Sequence, residues 1–82
     1  MLKPKSIQRQ AQKLGLTTRR EHLTGGDLGV FISLEQVTGG TARPVSPEVT
    51  GALIRYLEQY KVPYEYRGNY TSILITHKGE EL

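Results

Sequence analysis

The sequence contains no cysteine and no tryptophan, and it has a single aspartate and only two histidines. The lack of cysteine excludes disulfides, zinc–thiolate sites and thiol catalysis. Neither His22 nor His77 has a carboxylate or a second histidine at the spacing of metal ligands, so we expect no metal site. No serine lies in a motif for nucleophilic catalysis. We therefore predict a protein that is not an enzyme and that needs no cofactor.

Long apolar runs are also absent. No stretch approaches the roughly 20 apolar residues of a membrane-spanning helix. Lys3 and Lys5 are followed by glutamine and arginine residues, not by the apolar segment of a signal peptide. We expect no binding to membranes, and the lack of cysteine fits a place in the reducing cytoplasm.

The chain has 82 residues, enough for one domain with a modest core. Homo-oligomerisation is one way for so small a domain to gain stability. Residues 1–22 carry six basic residues and one glutamate, a net charge of +5, whereas residues 23–54 carry −2 and residues 55–82 are neutral. Such a basic patch is typical of proteins that bind nucleic acid or an acidic protein surface. A solvated face of an ordinary domain would have the same composition.

The clearest pattern is an amphipathic helix followed by a β-hairpin within Ser46–His77, a range that holds all five tyrosines. Ser46 is a good N-cap and Pro47 suits the first helical position. Pro63 disfavours helical geometry at the residue before it, so the helix should end shortly before this proline. Apolar residues at spacings of three and four form one stripe: Val49, Leu53, Tyr56, Leu57 and Tyr60.

The predicted hairpin turns at Gly68 and Asn69, because both residues tolerate positive φ. With this turn, Arg67 lies directly opposite Tyr70. Alternation places one set of side chains towards the core: Val62, Tyr64, Tyr66, Thr71, Ile73 and Ile75. The outer face carries Glu65, Arg67, Tyr70, Ser72 and Leu74. An exposed aromatic ring beside an arginine can stack on a base or anchor a protein interface.

The first part of the chain holds a second helix and a second pair of strands. Ser6–Leu14 is predicted to be helical, with Gly15 at its end. Leu28–Leu34 alternates like a strand, and Thr17–Thr24 is predicted as a polar edge strand before a turn at residues 25–27. The segments Ile7–Ser33 and Leu53–Thr76 form a faint repeat, which supports this hairpin. The matching pairs are Ile7/Leu53, Arg9/Arg55, Ala11/Leu57 and Leu16/Val62.

A second interpretation makes residues 18–24 a short helix, because Thr18 and Glu21 can form a capping box. Together with the first helix and its turn glycine, this would be a helix-turn-helix motif. The chain would then resemble a winged-helix domain in element order over Ser46–His77, with Gly68 and Asn69 at the tip of the wing. Gln10 and Glu21 stand where that motif needs apolar residues.

We predict a single α+β domain with two helices packed on a mainly antiparallel sheet, in the order α-β-β-α-β-β. A flexible loop is expected at residues 36–45, and frayed ends at residues 1–5 and 78–82. Gly39 and Gly40 with Arg43 can bind a phosphate through backbone N–H groups, although the lysine of a Walker motif is missing.

The predicted function is a small, non-catalytic nucleic-acid-binding module, for DNA or RNA. It would bind through its basic N-terminal patch and its exposed hairpin, using Lys5, Arg9, Lys13, Arg19, Arg20, Arg67 and Tyr70. His22 beside two arginines would suit a ribonuclease site, but a histidine in a polar strand is more often exposed and structural. The alternative is a small protein-binding regulatory or inhibitory factor, of the kind that mobile elements encode. It would dock through its sheet face or its glycine loop.

Overall fold

The computed structural model describes residues 3–23 and 28–77, which form two α-helices and six β-strands. The helices are α1 (Pro4–Lys13) and α2 (Pro47–Gln59). The strands are β1 (Thr18–His22), β2 (Leu28–Ser33), β3 (Glu35–Thr38), β4 (Thr41–Pro44), β5 (Glu65–Arg67) and β6 (Ser72–His77). Four strands form an antiparallel sheet in the order β1-β2-β6-β5, and β3 pairs with β4 separately. The predicted α+β class is confirmed, with one hairpin more than predicted.

Helix α1 begins at Pro4, two residues before the predicted start. Proline suits the first turn because its missing N–H would have no helical partner there, and Pro4 is buried here together with Ile7 and Ala11. The predicted frayed start at residues 1–5 is therefore wrong for Pro4 and Lys5, which are helical. Residues 1–2 and the predicted frayed end at residues 78–82 lie outside the described residues.

Helix α2 begins as predicted, because the Ser46 hydroxyl accepts a hydrogen bond from the Val49 N–H at 3.3 Å. Gly51, in the second turn, does not touch the sheet. A Cβ built at Gly51 would lie 3.3 Å from a guanidinium nitrogen of Arg55, and no sheet atom lies within 4 Å of it. Gly51 therefore leaves room for a surface side chain rather than for a close approach of the sheet.

Both helices end in the same hydrogen-bonded cap. After α1, Gly15 has a φ of +84°, and the Leu16 N–H donates to a carbonyl of the last helical turn at 3.0 Å. After α2, Lys61 has a φ of +56°, and the Val62 N–H donates in the same way at 2.9 Å. These are Schellman motifs, and they turn the buried residues Leu16 and Val62 back towards the core.

The two helices and one face of the sheet, the inner face, share a single hydrophobic core. In the central strand pair, Val30 lies opposite Ile75 and Ile32 opposite Ile73. These four side chains pack in one cluster with Ile7, Ala11, Leu16, Leu34, Val45, Leu53, Leu57 and Val62. The sequence-based prediction that Leu53, Leu57, Ile73 and Ile75 are buried is confirmed.

The chain contains two copies of one αββ unit, α1-β1-β2 and α2-β5-β6. Because β2 and β6 pair antiparallel in the middle of the sheet, the units are arranged with approximate twofold symmetry. The predicted repeat is confirmed in its buried positions, since Ile7 and Leu53 are fully buried in corresponding places, as are Ala11 and Leu57. The hairpin β3–β4 connects the two units.

The interpretation of residues 18–24 as a helix, and with it the helix-turn-helix and winged-helix alternatives, is wrong. Thr18–His22 forms the edge strand β1, paired antiparallel along its whole length with β2. The Thr18 hydroxyl, which a capping box would use for the backbone, accepts a hydrogen bond from the side chain of Gln8 at 3.2 Å. The predicted turn at residues 25–27 lies outside the described residues.

The β5–β6 hairpin differs from the prediction in register. Arg67 lies opposite Ser72, not Tyr70, so the loop contains four residues, 68–71, instead of two. Three consecutive loop residues have φ values of 58°, 58° and 69°: Gly68, Asn69 and Tyr70. Because the register shift is an even number of residues, the strand side chains keep their predicted faces. The predicted burial is wrong at Tyr66 on the core face, which is 40% exposed, and at Ser72 on the outer face, which is buried.

The predicted loop at residues 36–45 is also wrong, because most of it forms the hairpin β3–β4. Glu35 lies opposite Pro44, and Thr38 lies opposite Thr41. Gly39 and Gly40 form the turn with φ values of 60° and 79°, as a two-residue type I′ turn requires. Two glycines between short runs that contain valine and threonine were the sequence signal for this hairpin.

Candidate nucleic-acid interface

Three basic side chains lie along the solvent side of α1. Lys5, Arg9 and Lys13 recur every four residues and therefore share one side of the helix, opposite the buried residues Ile7 and Ala11. All three are exposed, and they extend over about 12 Å along the helix axis. We call Lys5, Arg9 and Lys13 the basic crest.

No carboxylate in the neighbouring sequence neutralises the basic crest. Residues 1–18 contain neither aspartate nor glutamate. The two ion pairs found within residues 3–23 and 28–77 are Arg19–Glu21 and Arg67–Glu65, and neither involves α1. Lys3, at the N-cap of α1, is exposed and adds a further positive charge at the same end of the helix. The crest is therefore a patch of one sign.

Arg20 lies beside the basic crest, on the side of the sheet that carries α1. Its Nε donates to the side-chain oxygen of Gln8 at 2.9 Å, and the Gln8 amide nitrogen donates to the Thr18 hydroxyl. These bonds fix the helix against the edge strand β1. They also hold the exposed guanidinium of Arg20 at the flank of the crest.

Arg19 points to the opposite side of the sheet, because neighbouring residues of a strand alternate between faces. Its guanidinium lies 4.4 Å above the centre of the Phe31 ring and makes an ion pair with Glu21 at 2.7 Å. The structure therefore separates Arg19 from Arg20 and from the basic crest. A single patch containing both arginines is not formed.

Arg67 and Tyr70 lie at the far edge of the sheet, with β2 and β6 between them and β1. Arg67 makes an ion pair with Glu65 at 2.6 Å. Tyr70 is 73% exposed, and its ring packs against that of Tyr66 at a centroid distance of 4.9 Å. The prediction that Arg67 and Tyr70 face each other across the hairpin is wrong, because Tyr70 belongs to the loop and not to a strand.

Three of the five tyrosines, Tyr64, Tyr66 and Tyr70, form a row of contacting rings at this far edge, which we call the aromatic row. The Tyr64 and Tyr66 rings meet edge to face at 5.9 Å, and Tyr66 continues to Tyr70. The Tyr64 hydroxyl donates to a carboxylate oxygen of Glu58 at 3.5 Å. Burial raises the pKa of Tyr64, and the charge of Glu58 raises that pKa further. Exposed rings of this kind can stack on bases or fill a partner's pocket.

Gln36 is a candidate contact residue near the basic crest that the sequence did not reveal. It lies on β3 beside the end of α1, since a Cβ built at Gly15 would be 4.0 Å from its amide nitrogen. Arg43, which the sequence suggested only as part of a phosphate-binding glycine loop, lies opposite Gln36 on β4. Both fall in the predicted flexible loop at residues 36–45, and only their pairing in a hairpin brings them together on one surface.

A cleft of about 610 Å³ lies where β3 approaches β1 and β2. It is bordered by Arg19 and Phe31 on the sheet and by residues 35–38 of the hairpin, so Gln36 lines it as well as the exposed Val37. Arg19 covers the Phe31 ring, and the outer-face residue Leu74 is buried, contrary to its predicted exposure. The outer sheet face is therefore less open to a docking partner than the sequence indicates.

The described residues show little that suits catalysis or metal binding. They contain no group of three or more metal-ligating side chains. His22 is exposed at the end of β1, where alternation places it on the face opposite Arg19. Neither helix of the described part is long and apolar enough to cross a membrane. No family model, curated protein or solved structure matches this chain.

Proposed function

We propose that the protein is a small, non-catalytic nucleic-acid-binding module that holds phosphates with the basic crest of α1. The observation that carries this proposal is the alignment of Lys5, Arg9 and Lys13 on the exposed side of one helix, without a carboxylate in residues 1–18. Three aligned cations displace counterions from a polyanion, which gives affinity that depends steeply on salt. Arg20 extends the surface at its flank.

The placement of the positive charges at the start of α1 is not explained by the stability of the helix. Lys3 and Lys5 lie at the N-terminus of α1, where the helix dipole disfavours positive charge, and the first turn has no acidic residue. Helix α2 has Glu48 at the corresponding end, as the dipole favours. An anionic ligand bound at this end of α1 would offset the unfavourable placement of the two lysines.

Arg19, Arg67 and Tyr70 have smaller parts in this proposal. Arg19 and Arg67 are each paired with a glutamate, so a phosphate would have to displace that partner. Arg67 and Tyr70 would give the nucleic acid a second contact site at the far edge of the sheet, separate from the crest. We propose a cytoplasmic location. Self-association of the protein is a further proposal, which a sedimentation measurement tests.

The test is the salt dependence of binding to a random-sequence duplex and to a single strand. Changing Lys5, Arg9 and Lys13 together to glutamine should lower the slope of log affinity against log salt by about three, because each lost phosphate contact removes about 0.9 from a duplex slope. Arg55→Gln on α2 is the matched control, since Arg55 corresponds to Arg9 but has no basic neighbours at this spacing. An unchanged slope in a folded triple variant would contradict the proposal.

A second candidate function, docking to a partner protein as a regulatory or inhibitory factor, is supported by the aromatic row. Tyr66 and Tyr70 are 40% and 73% exposed, and tyrosine is enriched at protein interfaces. Tyr70→Ala should then abolish recovery of the partner from the native host while nucleic-acid affinity and fold stability stay unchanged. A fall in affinity for single strands of roughly 1–3 kcal/mol would instead show that the ring stacks on bases.

A further inference from the structure

The hairpin β3–β4 is exposed along most of its length. It forms its own two-stranded sheet, and its residues from Gln36 to Pro44 are all exposed. An isolated two-stranded ribbon is only marginally stable in water. Here its base is held by the buried residues Leu34 and Val45, which are joined by a hydrogen bond of 2.9 Å from the Val45 N–H to the Leu34 carbonyl. The fold thus anchors the base and leaves the tip free.

The two faces of this ribbon differ in chemistry. Register and alternation place four polar residues on one face: Gln36, Thr38, Thr41 and Arg43. The opposite face carries Glu35, Val37, Ala42 and Pro44. The polar face therefore offers an amide, a guanidinium and two hydroxyls, all of which form hydrogen bonds with base edges.

The polar face comes close to the end of α1 at which the basic crest ends. Gly15 follows the last turn of α1, two residues after Lys13, and Gln36 lies beside it. Arg43 lies opposite Gln36, one strand further on. The ribbon is therefore a neighbour of the Lys13 end of the crest.

We propose that the β3–β4 ribbon enters the major groove of duplex DNA and contacts base edges through Gln36 and Arg43, while the basic crest holds the adjacent phosphates. This inference rests on the proposed function and adds the class of nucleic acid and the element that gives sequence preference. The major groove of B-DNA is wide enough for a two-stranded ribbon, whereas that of an RNA duplex is too narrow. Glutamine pairs with adenine and arginine with guanine in that groove.

The tip of the ribbon fits this proposal. A Cβ built at Gly39 or at Gly40 would meet no atom of the described residues within 4 Å, so the turn is uncrowded where these side chains would lie. Two residues without side chains allow the backbone to approach a groove wall closely. Neither the ribbon nor α1 carries an aromatic residue, so neither offers a ring on which single-stranded bases could stack.

The experiment compares ribbon variants on a panel of DNA duplexes of different sequence, an RNA duplex and a single strand, with anisotropy as the readout. Wild-type protein should prefer some DNA duplexes. Gln36→Ala should reduce that preference by about tenfold or more at one base pair. Arg43→Gln should reduce the preference at a different base pair. It should also lower the slope of log affinity against log salt on all duplexes by no more than about one. Val37→Thr with Ala42→Ser, on the opposite face, is the matched control and should change neither.

The outcomes separate this inference from the proposed function. In one outcome, the triple variant of the crest lowers the salt slope as expected, but Gln36→Ala and Arg43→Gln leave the preference among duplexes unchanged. The ribbon inference is then overturned and the proposed function stands. Equal binding of wild-type protein to all DNA duplexes, or to DNA and RNA duplexes alike, also overturns the ribbon inference. If the triple variant of the crest also leaves the salt slope unchanged, the ribbon inference and the proposed function both fail.

Discussion

The two αββ units of the molecule share their architecture but differ on their exposed helix faces. Each helix begins at a proline and ends in a Schellman motif, and each is followed by an antiparallel strand pair. In the alignment that pairs Arg9 with Arg55, the other members of the crest, Lys5 and Lys13, correspond to Gly51 and Gln59. The buried positions thus maintain the fold that the two units share. The exposed positions do not affect packing, so they can differ, and in the first unit they carry the positive charge of the crest.

The units also differ at the residue that follows each helix. Gly15 adopts a left-handed conformation after α1, and Lys61 adopts it after α2. Glycine reaches this conformation without steric cost, whereas a residue with a Cβ pays about 1–2 kcal/mol. The second unit therefore carries local strain that the first unit avoids.

The largest expected effect concerns the buried pair Ala11 and Leu57. Leu57→Ala gives the second unit the residue of the first, and it should lower the free energy of unfolding by about 2–5 kcal/mol, because it leaves a cavity in the shared core. Urea denaturation measures this loss. A loss below about 1 kcal/mol would mean that the two helices do not depend on the same core in the same way.

The next effect tests the helix ends. Gly15→Ala should lower the free energy of unfolding by about 1–2 kcal/mol, because alanine is strained at a φ of +84°. Lys61→Gly should raise it by about 1 kcal/mol for the converse reason. Thermal denaturation of both variants measures the difference. Changes of equal sign would show that the two caps are not equivalent.

A smaller gain is expected inside α2. Gly51→Ala should raise the free energy of unfolding by somewhat less than about 1 kcal/mol, the difference in helix propensity between the two residues. Among the described residues, the new Cβ would approach only the flexible end of Arg55, which can move aside. If Gly51→Ala destabilises the protein in a urea titration, the Arg55 side chain is held in place more firmly than its exposure indicates.

The smallest effect separates the two sides of β1. Arg20→Gln should lower the salt slope of duplex binding by about one, because Arg20 flanks the crest. Arg19→Gln should leave the slope unchanged, because Arg19 lies on the opposite face and is paired with Glu21. Equal effects of the two substitutions would show that the ligand wraps around the edge of the sheet.

Much of the fold was predictable because it depends on local spacing. The apolar residues of α2 recur with the period of a helix, and those of β2 alternate with the period of a strand. The buried residues Leu53 and Ile32 follow directly from these two periods. Of the crest, Arg9 and Lys13 lie within the predicted helix, whereas Lys5 joins them only because α1 begins at Pro4.

The sequence by itself thus determined both helices, the alternation of the central strands and the basic character of the first unit. Only the tertiary structure decided the register of the β5–β6 hairpin, the separation of Arg19 from Arg20 and the position of Gln36 beside Gly15. A period within one segment acts through neighbouring residues, so it is visible in the sequence. Register and juxtaposition depend on which distant strands pair and on how a loop closes, and these energies arise only when the whole chain is folded.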